Sequence, residues 1–289
     1  MPRDVLDVAT EAARAAGAEL IARYRRPPEG LGSKQGPADL VSDADRAAER
    51  AIAAVLGRRR PDDGVLGEEG TSNRAGTTGL RWVVDPLDGT SNYLAGLPFW
   101  CVSIACEDAQ GTLAGVVLDP LRDERFAAVR GCSVQIDGPV RRASAGRYDL
   151  EAAMITGGVA DKTEAEAERA GELERRLFRR IGSRRALGTA ALELAWTAAG
   201  RIDICYHEQR IHPWDVDAGL FICHRAGLRV HRLEPVADDL APRYLAAPQA
   251  LTAELLSLTG PGHAGRGRNG SRAPLRTESV AAAMRRRER

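Results

Sequence analysis

The sequence predicts an α/β fold in which layers of helices and sheets alternate. Three observations indicate this class: segments with apolar residues at helical spacing, β-branched runs bounded by turn residues, and the alternation of the two along the chain. The chain has 289 residues, of which 44% are hydrophobic and 28% are charged. This is the composition of an ordinary globular protein with enough apolar material for a large core.

Two amphipathic helices are predicted at the start of the chain. The first covers residues 4–25 and ends at Pro27-Pro28, because proline cannot continue a helix. The second begins near Ser42, a favourable N-cap, and Pro61 lies beyond its end. The apolar faces comprise Val5, Val8, Ala9, Ala12, Ala16, Leu20 and Tyr24 in the first helix, and Ala48, Ile52, Val55 and Leu56 in the second.

A series of strands is predicted next. "GVLGEEG" begins as a strand, and a polar loop separates it from "RWVVDP". "FWCVSIACED", "GTLAGVVLDP" and "RDERFAAVRG" follow as β-branched runs separated by turn residues. Together they predict a sheet.

Helices and strands alternate in the second half of the chain. We predict a strand in "AAMITGG", a charged helix near 163–180 and a helix in "GTAALELAWTAAG" closed by Gly200. A strand in "RIDICYHE", a helix from Asp215 to near Gly227 and a strand in "LRVHRL" follow. We divide the chain into residues 1–147, residues 148–260 and a tail at 261–289.

The tail differs from the rest of the chain in composition. It is rich in Gly, Arg and Ser and contributes +6 to a net charge of +1, which leaves −5 for the other residues. Such a composition predicts disorder. A basic tail can bind nucleic acid, but we expect a solvated extension and no nucleic-acid partner.

The cysteines and the first residues suggest where the protein works. Five cysteines without C-x-x-C spacing indicate neither a disulfide framework nor a thiolate zinc site, and we expect small buried apolar residues. The start, "MPRDVLD", lacks the basic and apolar regions of a signal peptide, and no apolar run is long enough to span a membrane. We therefore expect a cytoplasmic protein without a membrane partner.

Two carboxylates end the strand in "WVVDPLDGTSNY". Asp85 and Asp88 lie three residues apart, and the polar turn after them could start a helix near Thr90. Ligands of α/β proteins tend to bind at the carboxyl ends of strands, and a helix start favours anions. Mg²⁺ is commonly held by a few carboxylates together with phosphate oxygens. The segment therefore indicates a site for Mg²⁺ and a phosphate group.

Acidic residues end two further segments. Glu68 and Glu69 follow a strand in "GEEG", and Asp215 begins a helix in "IHPWDVDAG". An aspartate at a helix start is most often only an N-cap, so each motif alone favours a structural role. Three such segments in one chain favour a carboxylate metal site instead.

Several segments resemble the inositol monophosphatase family, whose members are Mg²⁺-dependent, lithium-sensitive phosphomonoesterases. "GEE", "WVVDPLDGTSNY" and "WDVDAG" are similar to its metal-site motifs, and "DLVSDAD" and "GTAALELAWTAAG" to two supporting segments. "YLAAPQALTAELLSL" resembles its usual last helix. The resemblance covers roughly residues 5–258 and implies a layered αβαβα sandwich of the inositol monophosphatase and fructose-1,6-bisphosphatase type.

The resemblance also implies roles for particular residues. Metal ligands would be the side chains of Glu68, Asp85, Asp88 and Asp215 and the backbone carbonyl of Leu87. Gly89 and Thr90 would bind phosphate through backbone N–H groups. Asp45 would pair with the Thr90 hydroxyl and, with Glu68, activate the attacking water, while Lys34 would lie near the metal-bound waters. A metal lowers the pKa of bound water toward about 7 to 9, so no histidine base is needed.

The substrate is less well defined by the sequence. Glu208 matches a position that binds sugar hydroxyls in inositol-phosphate members, and Gly188, Thr189 and Arg185 are further predicted substrate contacts. Asp217 replaces a small residue of the family, Arg210 and Pro213 flank the second motif, and "TGGVAD" lacks the usual aromatic residues. We expect an inositol monophosphate, with a nitrogenous phosphate such as histidinol phosphate, an aminocyclitol phosphate or a nucleotide as the alternative.

Other reaction classes receive less support. The chain has no G-x-S-x-G nucleophile motif and no H-E-x-x-H zinc motif. A hypothesis of another class is a non-catalytic protein that binds phosphate ligands or partners. Family members are often dimers, so we expect a homodimer.

Overall fold

A computed structural model describes residues 2–27, 30, 32–33, 40–70, 72–137, 149–157, 164–207, 212–233 and 243–259. The helices are α1 (Pro2–Arg23), α2 (Asp43–Arg59), α3 (Thr90–Leu94), α4 (Glu164–Phe178), α5 (Ala190–Ala198), α6 (Pro213–Arg225) and α7 (Gln249–Thr259). The strands of the first half are β1 (Gly32–Ser33), β2 (Leu40–Val41), β3 (Gly64–Gly67), β4 (Arg81–Asp88), β5 (Cys101–Asp108), β6 (Gly111–Asp119), β7 (Glu124–Val129) and β8 (Gln135–Ile136). Those of the second half are β9 (Met154–Thr156), β10 (Ser183–Arg185), β11 (Ile204–His207), β12 (Arg229–Leu233) and β13 (Arg243–Ala247).

Two large sheets organise the chain. The first has six strands in the order β3-β4-β5-β6-β7-β8, in which only the β3–β4 pair is parallel. The second has five strands in the order β10-β9-β11-β13-β12, with β9 parallel to both β10 and β11. β1 and β2 form a separate antiparallel pair.

The helices form layers outside and between these sheets. α1 and α2 share one core cluster with the first sheet, and α5 and α6 pack against its opposite face. α5 and α6 also pack against β11 and β13 of the second sheet, whose other face is covered by α4 and α7. The order of layers is helix, sheet, helix, sheet, helix. This arrangement confirms the predicted αβαβα sandwich.

The two N-terminal helices follow their sequence patterns. In α1 the predicted apolar positions from Val5 to Leu20 are buried, and in α2 the same holds from Ala48 to Leu56. The Ser42 hydroxyl accepts a hydrogen bond from the Ala44 N–H at 3.2 Å, and Asp45 accepts one from the Ser42 N–H at 2.8 Å. This reciprocal capping fixes the start of α2 and confirms Ser42 as its N-cap.

One prediction about secondary structure was wrong. The segment "YLAAPQALTAELLSL" does not form a single helix, because Tyr244–Ala247 pair with β11 and β12 as part of β13. α7 begins only after Pro248. Proline often stands at the start of a helix, and the small alanines before it can be buried in a strand. The sequence is therefore equally compatible with a strand followed by a helix.

Some predictions lie beyond what the structure describes. The tail at 261–289 falls outside the described residues, and the division at residue 147 stays a prediction. Within the described ranges, every helix is too short or too polar to cross a lipid bilayer.

Candidate functional site

The carboxyl ends of β3 and β4 bring the first acidic residues together. Gly67 pairs with Val84 at the end of this parallel pair, and the Glu68 N–H donates to the Val84 carbonyl at 3.1 Å. Glu68 is thereby held beside Asp85. β4 continues to Asp88 through an irregularity in its pairing with β5, so Asp85 and Asp88 both lie at this sheet edge.

Asp85 is the most perturbed carboxyl group of this edge. It is 2% exposed, and burial raises its pKa well above the usual range. The neighbouring carboxylates of Glu68, Asp88 and Asp215 raise it further. One Asp85 oxygen accepts a hydrogen bond from the Leu87 N–H at 2.9 Å, which turns the backbone between the two aspartates.

Asp88 is held by the start of α5. Its Oδ2 atom accepts hydrogen bonds from the Thr189 hydroxyl at 2.5 Å and from the Ala191 N–H at 2.7 Å. Burial raises the pKa of Asp88 to about 6, although these two hydrogen bonds oppose the increase. The Cys101 thiol lies 3.8 Å from the same oxygen.

Asp45 and Thr90 form a second part of the site. The Thr90 hydroxyl lies 3.0 Å from Asp45 Oδ1 and 3.1 Å from the Leu87 carbonyl oxygen. The other Asp45 oxygen accepts from the Ser42 hydroxyl at 2.6 Å as well as from the Ser42 N–H. Asp45 is fully buried, so the cap of α2 fixes the orientation of its carboxylate.

Gly89 allows the chain to turn from β4 into α3. Its φ of 94° lies in the left-handed region, which favours glycine. A Cβ atom at this position would also lie 3.2 Å from the Phe99 carbonyl oxygen and 3.3 Å from the Trp100 side chain. Both restrictions keep the backbone of Gly89 and Thr90 close to Asp88.

Asp215 reaches the site from the first turn of α6. It is half-buried, and its Oδ2 accepts a hydrogen bond from the His212 N–H at 2.7 Å. The Ser103 hydroxyl of β5 donates to the Trp214 carbonyl at 3.0 Å, which ties the start of α6 to the first sheet. Asp215 is therefore an N-terminal capping residue that also faces Asp85.

The predicted substrate contacts have different surroundings. Thr189 is 3% exposed, and its hydroxyl is directed at Asp88. Gly188, with a φ of 80°, packs against Asn92 of α3. Arg185 is exposed at the end of β10 and donates to the Arg184 carbonyl. Lys34 and Glu208 lie outside the described residues.

Two residues that the sequence analysis missed support the site. Asn92 donates to the Phe99 carbonyl at 2.8 Å and to the Leu187 carbonyl at 2.7 Å, which joins α3 to the loop before α5. Glu49, one turn after Asp45 on α2, is fully buried behind Gly67. A charged residue on the inner face of α2 was the available signal for Glu49, whereas nothing in the local sequence distinguishes Asn92.

The donor set fits a hard divalent cation. Asp85 and Asp88 are buried, and neither makes an ion pair with lysine or arginine within the described part of the chain. Glu68 and Asp215 add carboxylate oxygens, and Leu87 adds a carbonyl oxygen that Thr90 already contacts. Buried carboxylates that repel one another require positive charge, and oxygen ligands suit Mg²⁺.

Comparisons with known proteins identify the family of the chain. The model of the inositol monophosphatase family matches residues 1–260. Nus factor SuhB of Xylella fastidiosa is 37% identical over 246 residues, which are 84% of this chain and 88% of that protein. Inositol-1-monophosphatase of Rhizobium meliloti is 37% identical over 224 residues, 77% of this chain and 83% of that protein.

A solved structure shows the same fold. The extragenic suppressor protein SuhB from Bartonella henselae superimposes with a TM-score of 0.80 at 35% identity, covering 89% of this chain and 99% of that one. The fold is the one expected from the sequence. The chain belongs to the inositol monophosphatase family.

Proposed function

We propose that the protein is a Mg²⁺-dependent phosphomonoesterase that hydrolyses a small phosphorylated polyol, with an inositol monophosphate as the expected substrate. The observation that carries this proposal is the grouping of Glu68, Asp85 and Asp88 at one sheet edge, with Asp215 facing them; burial first, and these neighbouring carboxylates next, raise the pKa of Asp85. Such a cluster binds divalent cations more readily than it serves stability, since each ionised member destabilises the others.

Particular residues would hold the metal. Glu68, Asp85 and the Leu87 carbonyl are the proposed ligands of one ion, and Asp85, Asp88 and Asp215 are those of a second. When bound, Mg²⁺ lowers the pKa of a coordinated water and neutralises the phosphate oxygens. The chain itself orients these ligands through Thr189, Ala191 and the first turn of α6.

Asp45 and Thr90 would accept the proton of the attacking water. The Thr90 hydroxyl donates toward Asp45, which leaves a lone pair of its oxygen for the water. As the water loses a proton to Thr90, the hydroxyl proton of Thr90 moves to Asp45. Glu68, at the carboxyl end of the neighbouring parallel strand β3, would orient the same water.

The remaining contacts bind and orient the substrate. The backbone N–H groups of Gly89 and Thr90 are the proposed phosphate ligands. Glu208, Arg185 and Gly188 are proposed to contact the alcohol, with Lys34 near the metal-bound waters. Thr189 would act on the substrate only through Asp88, since its hydroxyl is already committed to that carboxylate.

One argument for a nitrogenous substrate loses its support. Asp217 is buried against Glu107 and near Arg81, and not exposed at the site. Pro213 is the first residue of α6, whereas Arg210 and residues 158–161 lie outside the described residues. A nitrogenous phosphate therefore stays an alternative on the basis of sequence alone.

Phosphate release by the purified protein tests the proposal. The substrates are myo-inositol 1-phosphate, histidinol phosphate, fructose 1,6-bisphosphate, 3′-phosphoadenosine 5′-phosphate and nucleoside 5′-monophosphates, each with Mg²⁺ and with EDTA. We expect Mg²⁺-dependent release, fastest from the inositol phosphate, and a loss of at least about 100-fold in Asp88→Asn. Asp137→Asn, an exposed aspartate paired with Arg125, is the matched control and should retain full activity.

A relative's name favours a second candidate function. The relative from Xylella fastidiosa is called a Nus factor, which suggests a partner-binding role that does not need hydrolysis. Affinity capture with the wild type and Asp88→Asn separates the two. Partners retained equally by both proteins, without phosphate release from any substrate, would support the second candidate and contradict the first.

A further inference from the structure

We propose that Glu193, Cys205 and His207 form a second metal site, separate from the carboxylate cluster and suited to Zn²⁺. Their ligand atoms, a carboxylate oxygen, a thiol sulfur and an imidazole nitrogen, all lie within 4.8 Å of one another. The three residues are 1%, 1% and 2% exposed, respectively. The site lies between α5 and β11, in the interior of the sandwich.

The strand and the helix position the three ligands. Cys205 and His207 alternate with Tyr206 on β11, so their side chains project from the same face of the second sheet. α5 covers this face, and Cys205 packs in the same core cluster as Ala190 and Leu194 of α5. Glu193 projects from α5 toward the two strand residues.

Glu193 has one oxygen in use and one oxygen available. Its Oε1 atom accepts a hydrogen bond from the Leu187 N–H at 2.8 Å, which orients the carboxylate. Its Oε2 atom makes no hydrogen bond within the described part of the chain and lies 3.4 Å from His207 Nε2. A buried carboxylate oxygen without a hydrogen bond is costly, and a metal ion between the two groups would remove that cost.

Of the three groups, His207 already has the protonation state that metal binding needs. Burial lowers the pKa of His207 to about 4, so the imidazole is neutral, as a metal ligand must be. Burial raises the pKa of Glu193 to about 7. Burial also raises the pKa of the Cys205 thiol, so Zn²⁺ would have to displace a proton from Cys205, and at neutral pH from part of the Glu193 population, on binding.

The ligand chemistry favours Zn²⁺ over Mg²⁺. Sulfur and nitrogen suit zinc, whereas Mg²⁺ selects oxygen ligands. Ligands of a tetrahedral zinc ion are separated by about 3.3 to 3.7 Å, given bonds of about 2.0 to 2.3 Å. The separation of Glu193 and His207 falls in this range. The hydroxyl of buried Thr156 also interacts with Glu193, and a water would complete the coordination.

The position of the site suggests a structural role. Glu193 lies one turn after Thr189 and two residues after Ala191, which hold Asp88. A zinc ion bound to Glu193 and β11 would fix the start of α5 against the second sheet. Cys205 and His207 have no part in the proposed hydrolysis, so this inference stands independently of it.

Cobalt binding is the first test. The chelator-treated full chain, in excess Mg²⁺ to occupy the carboxylate cluster, is titrated with Co²⁺ and then Zn²⁺. We expect a near-ultraviolet thiolate-to-cobalt charge-transfer band that saturates at one equivalent and disappears when Zn²⁺ displaces Co²⁺. Absence of this band would overturn the proposal.

Variants identify the thiolate. Cys205→Ala should abolish the band, while Cys223→Ala, in the same core cluster, should retain it. Cys101→Ala is the critical control, because Cys101 lies beside Asp88 and is the competing thiol. A band that survives in Cys205→Ala or vanishes in Cys101→Ala would contradict the assignment.

X-ray absorption spectroscopy of the zinc-loaded wild type tests the proposal without any variant, so misfolding of a variant cannot affect the result. One sulfur neighbour at about 2.3 Å, with nitrogen and oxygen neighbours near 2.0 Å, is expected. A shell made only of nitrogen and oxygen would place the zinc in the carboxylate cluster and overturn the proposal.

Discussion

The Thr189 hydroxyl donates a 2.5 Å hydrogen bond to Asp88, 101 residues earlier in the chain. Thr189 is at the same time the N-cap of α5, where its oxygen accepts from the Leu192 N–H. One side chain thus fixes both the start of a helix in the middle layer and a carboxylate at the edge of the first sheet. This hydrogen bond also lowers the pKa of Asp88 relative to the value that burial alone would give.

Thr189→Val should weaken metal binding without removing a ligand. Valine has a similar shape but no hydroxyl, so Asp88 loses a hydrogen bond to its ionised form and its pKa rises. We expect Mg²⁺ affinity to fall by about 10- to 100-fold, as measured by calorimetry at neutral pH. Thr189→Ser keeps the hydroxyl and should restore most of the affinity; equal losses in both variants would argue against the hydrogen bond.

Metal affinity should depend on pH in the weakly acidic range. The pKa of Asp88 is raised to about 6, and its protonated form is a poor ligand. Affinity for Mg²⁺ should therefore fall as the pH decreases through 6, by up to about tenfold per unit for each proton displaced, and the raised pKa of Asp85 should extend this dependence to higher pH. Calorimetry at a series of pH values measures this dependence, and the fall should begin at higher pH in Thr189→Val.

Asp217→Asn should stabilise the protein. Asp217 is 2% exposed, and both of its oxygens lack hydrogen-bond partners within the described residues. Burial first, and the nearby Glu107 carboxylate second, raise its pKa. Because the folded protein holds this proton more tightly than the unfolded chain, stability is lost as the pH rises above about 4 toward the raised pKa. An asparagine amide can donate to Glu107 at any pH. We expect a gain of about 1 kcal/mol at pH 7, or ~2–4 °C in Tm.

A second buried aspartate provides the control for Asp217. Asp119 is fully buried but accepts hydrogen bonds from the Arg122 side chain at 2.6 Å and from the Leu121 N–H at 3.1 Å. Asp119→Asn weakens an interaction with a cation and should lower Tm. Thermal melts of both variants are recorded at pH 5 and pH 7. At pH 7 the change in Tm should be positive for Asp217→Asn and negative for Asp119→Asn. A lower Tm for Asp217→Asn would contradict the prediction.

Gly219→Ala should disturb the middle layer. A Cβ atom at Gly219 of α6 would lie 2.7 Å from the Leu194 side chain of α5, so the two helices must separate. We expect a loss of about 1 to 3 kcal/mol in the free energy of unfolding and weaker Mg²⁺ binding, because α6 also positions Asp215. Denaturant unfolding and calorimetry measure the two effects.

An exposed helical glycine provides the matched control. Gly171 of α4 has open space where its Cβ atom would be. Gly171→Ala should raise stability by about 0.5 to 1 kcal/mol, because alanine loses less backbone entropy in a helix. If both glycine variants change the free energy of unfolding in the same way, the contact between α5 and α6 at Gly219 does not cause the loss of stability.

Local signatures in the sequence predicted the α/β class and the acidic motifs, whereas the layered αβαβα sandwich was predicted from the resemblance to the inositol monophosphatase family. Helical spacing in α1 and α2 and β-branched runs in β4 to β7 depend on neighbouring residues. The strand β13 was missed because Tyr244–Ala247 precede a proline and read as the start of the last helix. Short strands such as β8 and β10 have two or three residues, too few for a period.

Contacts between distant segments could not be predicted from the same patterns. Asn92 holds the Leu187 carbonyl, and Glu193 meets His207, only because the layers bring these segments together. The sequence analysis named Asp217 among the differences from the family that bear on the substrate, but its side chain projects toward Glu107 in the first sheet. A helix pattern shows which residues are buried, not which neighbour each one meets.

The helices of the middle layer are synthesised after the sheet that they cover. One face of the first sheet, including Val83, Val117 and Phe126, is covered by α5 and α6, which are encoded after every strand of that sheet. A nascent chain that has completed β8 therefore exposes this apolar face until residues 190–225 have left the ribosome. A truncation before α5 would leave this apolar face uncovered, so we expect the fragment to aggregate.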